Sequence, residues 1–579
     1  MNSATNLVQF LQRSVEKWPD RPFLGTRTLP GPRYEWISYR DFGRRVDAVR
    51  GGLAALGVTR GTMVGIISNN RVEWAIAHFA ALGRGACWVP MYEAELVATW
   101  EHIIRDSGVE VLFVSKPDVY ERLKASLPRL PALRKVILIE GQGDDTLAAL
   151  ERAKPVEVVQ PEPTDLAVLI YTSGTTGDAK GVELTHANLV SNHDGRRAMF
   201  PAFSEQSRTL SILPWAHVYG MGELHTWTAL GGSIGLVGGL DTLLGDFTLV
   251  RPTFMLAVPR VFNRVYNALW AKMNEAGGIK KALFVTSLRA AKRQRDLAKR
   301  GKRSLRARAM LKVGDALVFA KIRELFGGRL EGVMTGSAAM NPELSQFFFD
   351  VGVPLYDVYG MTETSPGITL NCPAAHRSGS VGKPMAGVRV VIDSSVVEDG
   401  ANDGEIVVYG PNVMRGYHGK PEATAAVMTD DGGLRTGDRG RFDADGYLFI
   451  TGRLKDQFKL ENGKYVFPAA LEEALELHPL VQSSMVSGDG QPFCVALLVL
   501  DAAAVKTWAE HHPGEDVKTV LPKELTESLA GRFGSYEIPK QFVFIDEPFT
   551  VANGLLTQTM KLKRKQIVAK YRALIDAAR

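Results

Sequence analysis

Tyr171–Val182 reads YTSGTTGDAKGV, and this stretch decides how the rest of the chain is read. It stands directly behind DLAVLI (Asp165–Ile170), a short apolar run that predicts a buried strand. Gly174 and Gly177 let backbone N–H groups come close to a phosphate. Thr172, Ser173, Thr175 and Thr176 add hydroxyl donors, and Lys180 adds a positive charge. The string is not a Walker A loop, which needs G-x4-G-K-[ST]. Here Lys180 follows Ala179 and precedes Gly181. A P-loop motor or switch is therefore excluded, and a phosphate cradle of another kind is expected.

Upstream, helical and strand-like segments alternate. YRDFGRRVDAVRGGLAALG has helical spacing at Phe42, Val46, Val49, Leu53 and Leu56, and TMVGIISNN then predicts a strand. RVEWAIAHFAALGRGA is helical again, and CWVPMY, VEVLFVS and KVILIE are strand candidates. Downstream, RTLSILP, SIGLVG and TFMLAVP continue the series. Such alternation predicts an α/β fold with mostly parallel pairing. A break falls near TGRLKDQFK (Thr451–Lys459). Beyond it, KYVFP, PAALEEALELHP, VQSSMVSG and FCVALLVL suggest a separate small α+β domain of about 120 residues. The expected domains are 1–454 and 455–579.

The 579 residues are 45% hydrophobic and 23% charged, which is ordinary for a globular chain and excludes a disordered or fibrous one. Cys87, Cys372 and Cys494 form no CxxC pair, so neither a disulfide framework nor a zinc knuckle is expected, and a reducing cytoplasm is the natural setting. The first residues lack a basic start followed by an apolar run, so no signal peptide is expected. No apolar stretch approaches the ~20 residues of a bilayer span. Net charge is +6, but Lys280–Lys312 carries 13 Lys/Arg against the single acid Asp296. That segment reads as a helical hairpin, either simply solvated or attracting anionic lipid headgroups. No recognition motif or interleaved aromatics accompany the charge, so nucleic acid is not an expected partner.

YTSGTTGDAKGV closely resembles the phosphate loop of the adenylate-forming superfamily, which includes acyl-CoA synthetases, luciferases and peptide-synthetase adenylation domains. Later motifs follow in the family's order, so the resemblance covers nearly the whole chain. It implies a large N-terminal multi-sheet α/β domain with a small mobile C-terminal α+β domain. It also assigns roles. The loop residues Thr172, Ser173, Gly174, Thr175, Thr176, Gly177 and Lys180 would hold the phosphates of ATP. In YDVYGMTETS (Tyr356–Ser365), Tyr359 followed by Gly360 would stack on adenine and Thr362 would contact phosphate. Glu363, together with Thr172, would hold Mg²⁺. Ser337, in TGSAAM, would border the acyl and adenine pockets. Asp438, in RTGDRG, and Arg453, in GRLKDQ, would bind ribose, and Lys459 would reach the nucleotide. Lys455 occupies the hinge position between the two domains.

Lys561, in LLTQTMKLKR, matches the family's late lysine, which bridges the substrate carboxylate and the α-phosphate. Thr-Met precedes it where many relatives have Asn-Gly, and Gln558 departs from the Pro of the long-chain branch. His217, in LPWAHVYG, falls at a position that borders the acyl pocket; acid–base and packing roles are alternatives for it. LPWAHVYG itself holds no G-x-S-x-G elbow that would make His217 part of a triad.

The implied reaction joins a carboxylic acid to CoA through an acyl-adenylate, with pyrophosphate and then AMP released. VPRVFNRVY (Val258–Tyr266), the basic insert and GRLEGVMTGSAAM resemble the long-chain fatty acyl-CoA synthetase branch. Fatty acid, ATP and CoA are then the expected small-molecule substrates. The expected location is cytoplasmic, with peripheral contact at the inner membrane face. The alternatives are a fatty acyl-AMP ligase loading a carrier protein, a medium-chain or aryl acid ligase, and a non-catalytic lipid-binding protein on this fold. The run of 78 residues from Gly360 to Asp438 looks too short for the insertion that acyl-AMP ligases carry.

Overall fold

The computed structural model describes residues 4–28, 31–172, 179–239, 241–302, 304–338, 340–396, 403–557 and 560–578. Within it the chain divides into two compact units. The first comprises Met1–Val258, Leu269–Val390 and Val408–Leu434. The second comprises Pro259–Ala268, Val391–Val407 and Arg435–Arg579.

The first unit is built on three sheets. The largest has seven strands, in the order Gly416–Tyr417, Lys180–Thr185, Leu166–Thr172, Cys87–Met91, Met63–Ile67, Val111–Val114 and Lys135–Leu138. Its far half is parallel, as the alternating helices predict. The near half is not. Leu166–Thr172 and Lys180–Thr185 run antiparallel with Thr172 opposite Lys180, and Gly416–Tyr417 adds antiparallel to the edge. The phosphate motif therefore joins two hairpin strands instead of leading from a strand into a helix. Within the motif, Ser173, Gly174, Thr175, Thr176 and Gly177 lie outside the described residues.

A five-stranded sheet follows the order Phe254–Ala257, Gly332–Thr335, Leu355–Gly360, Gly367–Leu370 and Lys383–Pro384. Four further strands make a third sheet from Arg33–Ser38, Pro22–Thr28, Ser233–Leu236 and Arg208–Ser211. The core beneath these sheets is rich in aromatic side chains. Trp74 meets the rings of Trp88 and Trp215 edge to face at 5.3 and 5.5 Å. This geometry suits the ring quadrupoles better than a face-to-face stack.

The second unit carries an antiparallel hairpin that pairs Asp438–Phe442 with Leu448–Arg453. It also holds a three-stranded sheet of Val481–Ser487, Val495–Leu500 and Gln541–Ile545, with the helix Val517–Leu529 over one face. Leu471, Leu475, Leu498, Leu521 and Leu525 are fully buried there, so this unit has a core of its own.

Candidate active site

Strand register does most of the positioning in the first unit. Thr172 and Lys180 are cross-strand partners at the mouth of the hairpin, and both are half-buried. The Nζ of Lys180 lies 5.0 Å from the centroid of the Tyr417 ring, within cation–π range. The hydroxyl of the same tyrosine donates a 2.8 Å hydrogen bond to Oε1 of Glu363. Burial, with the carboxylate beside it, pushes the Tyr417 phenol well above its usual range, so it stays protonated and remains a donor. One side chain thus links the lysine of the phosphate motif to the candidate metal carboxylate.

The segment carrying Tyr417 is stitched to both neighbours. Met414 N–H donates to the Glu363 carbonyl at 2.9 Å, and Ser365 Oγ donates to the Asn412 carbonyl at 2.8 Å. Asn412 Nδ2 donates to the Gly367 carbonyl at 2.7 Å. On the other side, Arg415 N–H and His418 N–H donate to the carbonyls of Glu183 and Gly181 at 3.0 and 2.8 Å. The side chains of Arg415 and His418 both meet the Glu183 carboxylate at 2.7 Å. Burial alone would raise the Glu183 pKa, but these two hydrogen bonds outweigh it and hold the carboxyl below its ordinary value.

Thr362–Thr364 forms one 3₁₀ turn, in which Thr362 and Glu363 are buried. Gly360 stands just before it. A Cβ there would lie 1.8 Å from the Pro366 carbonyl oxygen, so no side chain fits. Tyr359 is the penultimate residue of the strand Leu355–Gly360 and is half-buried. Thr335 is the register partner of Asp357, and its Oγ1 donates to Asp357 Oδ1 at 2.7 Å. Ser337 and Tyr359 each stand two residues beyond this pair; Ser337 lies past the end of its strand, whereas Tyr359 stays in the sheet, paired with Thr369. Ser337 sits at φ 70°, a left-handed conformation that turns the chain sharply off the strand. Burial raises the Asp357 carboxyl to about 7. His217 caps the helix Val218–Leu230, its Nδ1 accepting the Tyr219 N–H at 3.2 Å. That nitrogen is committed to the cap.

In the second unit, Asp438 and Arg453 are direct cross-strand partners, and Arg453 Nε donates to Asp438 Oδ1 at 2.8 Å. Two motifs that sit 15 positions apart in sequence are one charged pair. Asp438 is buried. Its N–H donates to Thr436 Oγ1 at 3.1 Å, and that hydroxyl donates to the Ile406 carbonyl at 2.8 Å. Gly437, at φ 71°, accepts the Leu454 N–H at 2.9 Å, which fixes the end of the hairpin immediately before the exposed Lys455. Lys459 is exposed, with Nζ 5.2 Å from the Tyr465 ring. Lys561 is also exposed. Its N–H donates to Thr557 Oγ1 at 3.0 Å and its carbonyl accepts the Thr557 N–H at 2.8 Å, closing a tight loop. Gln558 lies outside the described residues.

Comparison with known proteins decides the family. The model of the AMP-binding enzyme family matches residues 11–418, and that of the AMP-binding enzyme C-terminal domain matches 455–579. The chain belongs to the AMP-binding enzyme family. Its relatives include the long-chain-fatty-acid–CoA ligase FadD15 of Mycobacterium bovis, 34% identical over 93% of this chain and 92% of the relative. The peroxisomal long chain acyl-CoA synthetase 7 of Arabidopsis thaliana is 30% identical over 97% of this chain and 85% of its own. Among solved structures, the adenylation domain of a carboxylate reductase from Mycobacterium chelonae superposes with a TM-score of 0.82. It covers 99% of this chain and 91% of that one at 24% identity, a likeness of fold. The α/β architecture and the adenylate-forming resemblance thus stand, and curated relatives over nearly the full length of this AMP-binding enzyme are long-chain fatty-acid–CoA ligases.

Tyr417 is the residue that sequence reasoning missed. It sits in MRGYHGK, which has no periodicity and no ligand spacing. Its two partners stand 54 and 237 positions away, and only strand pairing reveals them.

Proposed function

We propose that this AMP-binding enzyme is an ATP-dependent long-chain fatty acid–CoA ligase. Full-length relation to curated long-chain ligases carries the reading, and the linked Lys180–Tyr417–Glu363 arrangement supports it. In the first step the fatty carboxylate oxygen attacks the α-phosphorus of ATP, and pyrophosphate leaves with the electron pair of the broken P–O bond. In the second, the CoA sulfur attacks the acyl carbon, AMP leaves and the thiol proton goes to solvent. No side chain becomes a covalent nucleophile. Orientation and charge neutralisation supply the catalysis.

The loop from Thr172 to Lys180 would cradle the phosphates, Thr362 would touch them, and the Tyr359 ring would face adenine. Asp438 and Arg453 would take the ribose hydroxyls, with Lys459 nearby. Ser337 and His217 would border the acyl end. Lys561 would offset the repulsion between the fatty carboxylate and the α-phosphate. Rotation at Lys455 would bring residues 455–579 to 1–454 in two orientations, one for each step.

Mg²⁺ fits this donor set. Among the described residues no group of three or more His, Cys, Asp or Glu could cage a metal, whereas Glu363 is a single buried carboxylate held in place by Tyr417. Mg²⁺ is commonly bound by one or two carboxylates plus substrate phosphates, and Thr172 would add a hydroxyl. When bound it would neutralise charge on the phosphate oxygens. The proposed setting is the cytoplasm, with Lys280–Lys312 making peripheral contact with an anionic membrane.

The test is release of pyrophosphate and AMP with ATP, Mg²⁺ and acids from about C4 to C18, with and without CoA. CoA-dependent turnover greatest at long chains is expected. Acyl-adenylate that accumulates and ignores CoA would replace this reading with an acyl-AMP ligase. Preference for short or aryl acids would overturn the substrate class, and no pyrophosphate with any acid would overturn the activity.

A further inference from the structure

The basic segment expected to be helical forms two helices, Gly278–Lys299 and Leu305–Gly314. The second runs through a wider π-helical turn, Asp315–Phe319, into the helix Ala320–Leu325. The two long helices pack closely. A Cβ on Gly314 would lie 2.3 Å from Ser287 Oγ, so that contact needs glycine. Ala307, Gly314 and Phe319 form the buried side of the second helix and its extension, with Leu311 half-buried beside them.

The opposite side is also apolar. Leu305 is 84% exposed, Val313 53% and Leu317 52%, with Ala309 exposed between them and Met310 38% exposed alongside. Leu305, Ala309, Val313 and Leu317 recur every four residues, which puts them on one helical stripe. A helix that already buries one face has no structural use for a second apolar face in water. Arg306, Arg308 and Lys312 are exposed around the stripe. On the neighbouring helix, Arg289, Lys292 and Arg293 line a shallow cleft of about 330 Å³. Among the described residues, none of these six cations makes a salt bridge. No described helix is long and apolar enough to cross a membrane.

We propose that this helix pair docks on an anionic lipid bilayer and inserts the Leu305–Leu317 stripe to the depth of the headgroup–acyl boundary. Exposed leucine and valine flanked by unpaired arginine and lysine match a bilayer interface, where acyl chains meet anionic headgroups. Nucleic acid would leave the apolar stripe unused. The proposal takes its purpose from the ligase reading, since long-chain acids partition into lipid, but the docking itself needs neither ATP nor acid.

The experiment uses the full-length protein. Cys87, Cys372 and Cys494 are buried, so an introduced Leu305→Cys reacts selectively with a polarity-sensitive fluorophore. Vesicles of phosphatidylcholine with and without phosphatidylglycerol are added in the absence of nucleotide. A blue shift and quenching by bilayer-embedded quenchers on anionic vesicles are expected. R306Q/R308Q/K312Q should weaken vesicle binding by about 10²-fold at low salt, at roughly fivefold per cation. L305S/V313S/L317S should weaken it at both low and high salt.

A label that remains in water on vesicle-bound protein would overturn insertion. Equal binding to neutral and anionic vesicles, or preference for a DNA duplex over vesicles, would overturn the choice of partner. Turnover on detergent-dispersed acid separates the two readings. If insertion occurs without any turnover, only the ligase reading falls. If turnover is normal and no variant changes vesicle binding, only the docking falls.

Discussion

Replacing Tyr417 with Phe removes a single oxygen and leaves the ring in place. What disappears is the 2.8 Å hydrogen bond to Glu363, and what stays is the aromatic face 5.0 Å from Lys180. A hydrogen bond to a charged group contributes about 1.5–3 kcal/mol. If that energy holds Glu363 where phosphate-bound Mg²⁺ needs it, adenylation slows by about 10–10²-fold. The assay is acid-dependent ATP–pyrophosphate exchange across a Mg²⁺ series. Y417F should need more Mg²⁺ and recover part of its rate at saturation, while thioester formation from supplied acyl-adenylate changes little. Y417L should lose more, because Lys180 then loses its aromatic neighbour too, a contact of about 0.5–1 kcal/mol or more. Melting temperature separates a positioning role from a folding one. An unaltered Mg²⁺ dependence in a folded Y417F, or equal losses in both half-reactions, would refute the reasoning.

Lys561→Ala should cost adenylation about 10²–10³-fold, the loss typical of one transition-state donor, while transfer from supplied acyl-adenylate survives better; equal losses would remove its assigned role. Asp438→Asn should raise KM for ATP more than it lowers kcat, since it weakens ribose binding and leaves Arg453 without its charged partner; an unchanged KM would count against ribose binding. Acid should destabilise the first unit. Burial holds His225 and His193 at about 3 and His186 at about 4, and keeps His78 well below its usual value. The unfolded chain takes up these protons near pH 6.5, so stability is full above that pH and lost as pH falls. Glu223 and Asp357, both raised to about 7, oppose the loss. Four groups against two leave a slope of about 2–3 kcal/mol per pH unit between pH 6 and 5. A melting temperature that holds steady or rises from pH 7 to 5 would contradict this.

The sequence was legible where local chemistry and topology coincide. The buried parallel strands Met63–Ile67, Cys87–Met91 and Val111–Val114 read as short apolar runs because both faces are covered. Two motifs 15 positions apart, around Asp438 and Arg453, proved to be one hairpin pair. What stayed hidden depends on register over long separations. Nothing local says that the phosphate motif lies in an antiparallel hairpin, and nothing local brings Tyr417 to Glu363. The charge of Lys280–Lys312 was plain, but the apolar stripe beside it was not. In a segment with apolar residues on two sides, the sequence alone does not say which side is buried.

The same strap that hides Tyr417 from sequence reasoning explains why the site holds together. Lys180 hangs from one sheet and Glu363 from the loop that ends another. Two groups of opposite charge on separate sheets would vary in distance as the sheets flex, and the proposed phosphate and Mg²⁺ roles need them held at one spacing. The strap from Asn412 to His418 is hydrogen-bonded on one side to Glu183 and Gly181 and on the other to the turn at Glu363. Tyr417 then adds a side-chain link between the same two places, so backbone and side chain impose one spacing twice. Loosening the strap elsewhere should therefore reproduce the Tyr417 defect without touching Tyr417. Asn412→Ala removes the side-chain donor to the Gly367 and Thr364 carbonyls, ties that involve neither Lys180 nor Tyr417. A raised Mg²⁺ requirement in N412A, not additive with Y417F, is the expected result. Full additivity would mean that the two ties act on different parts of the site.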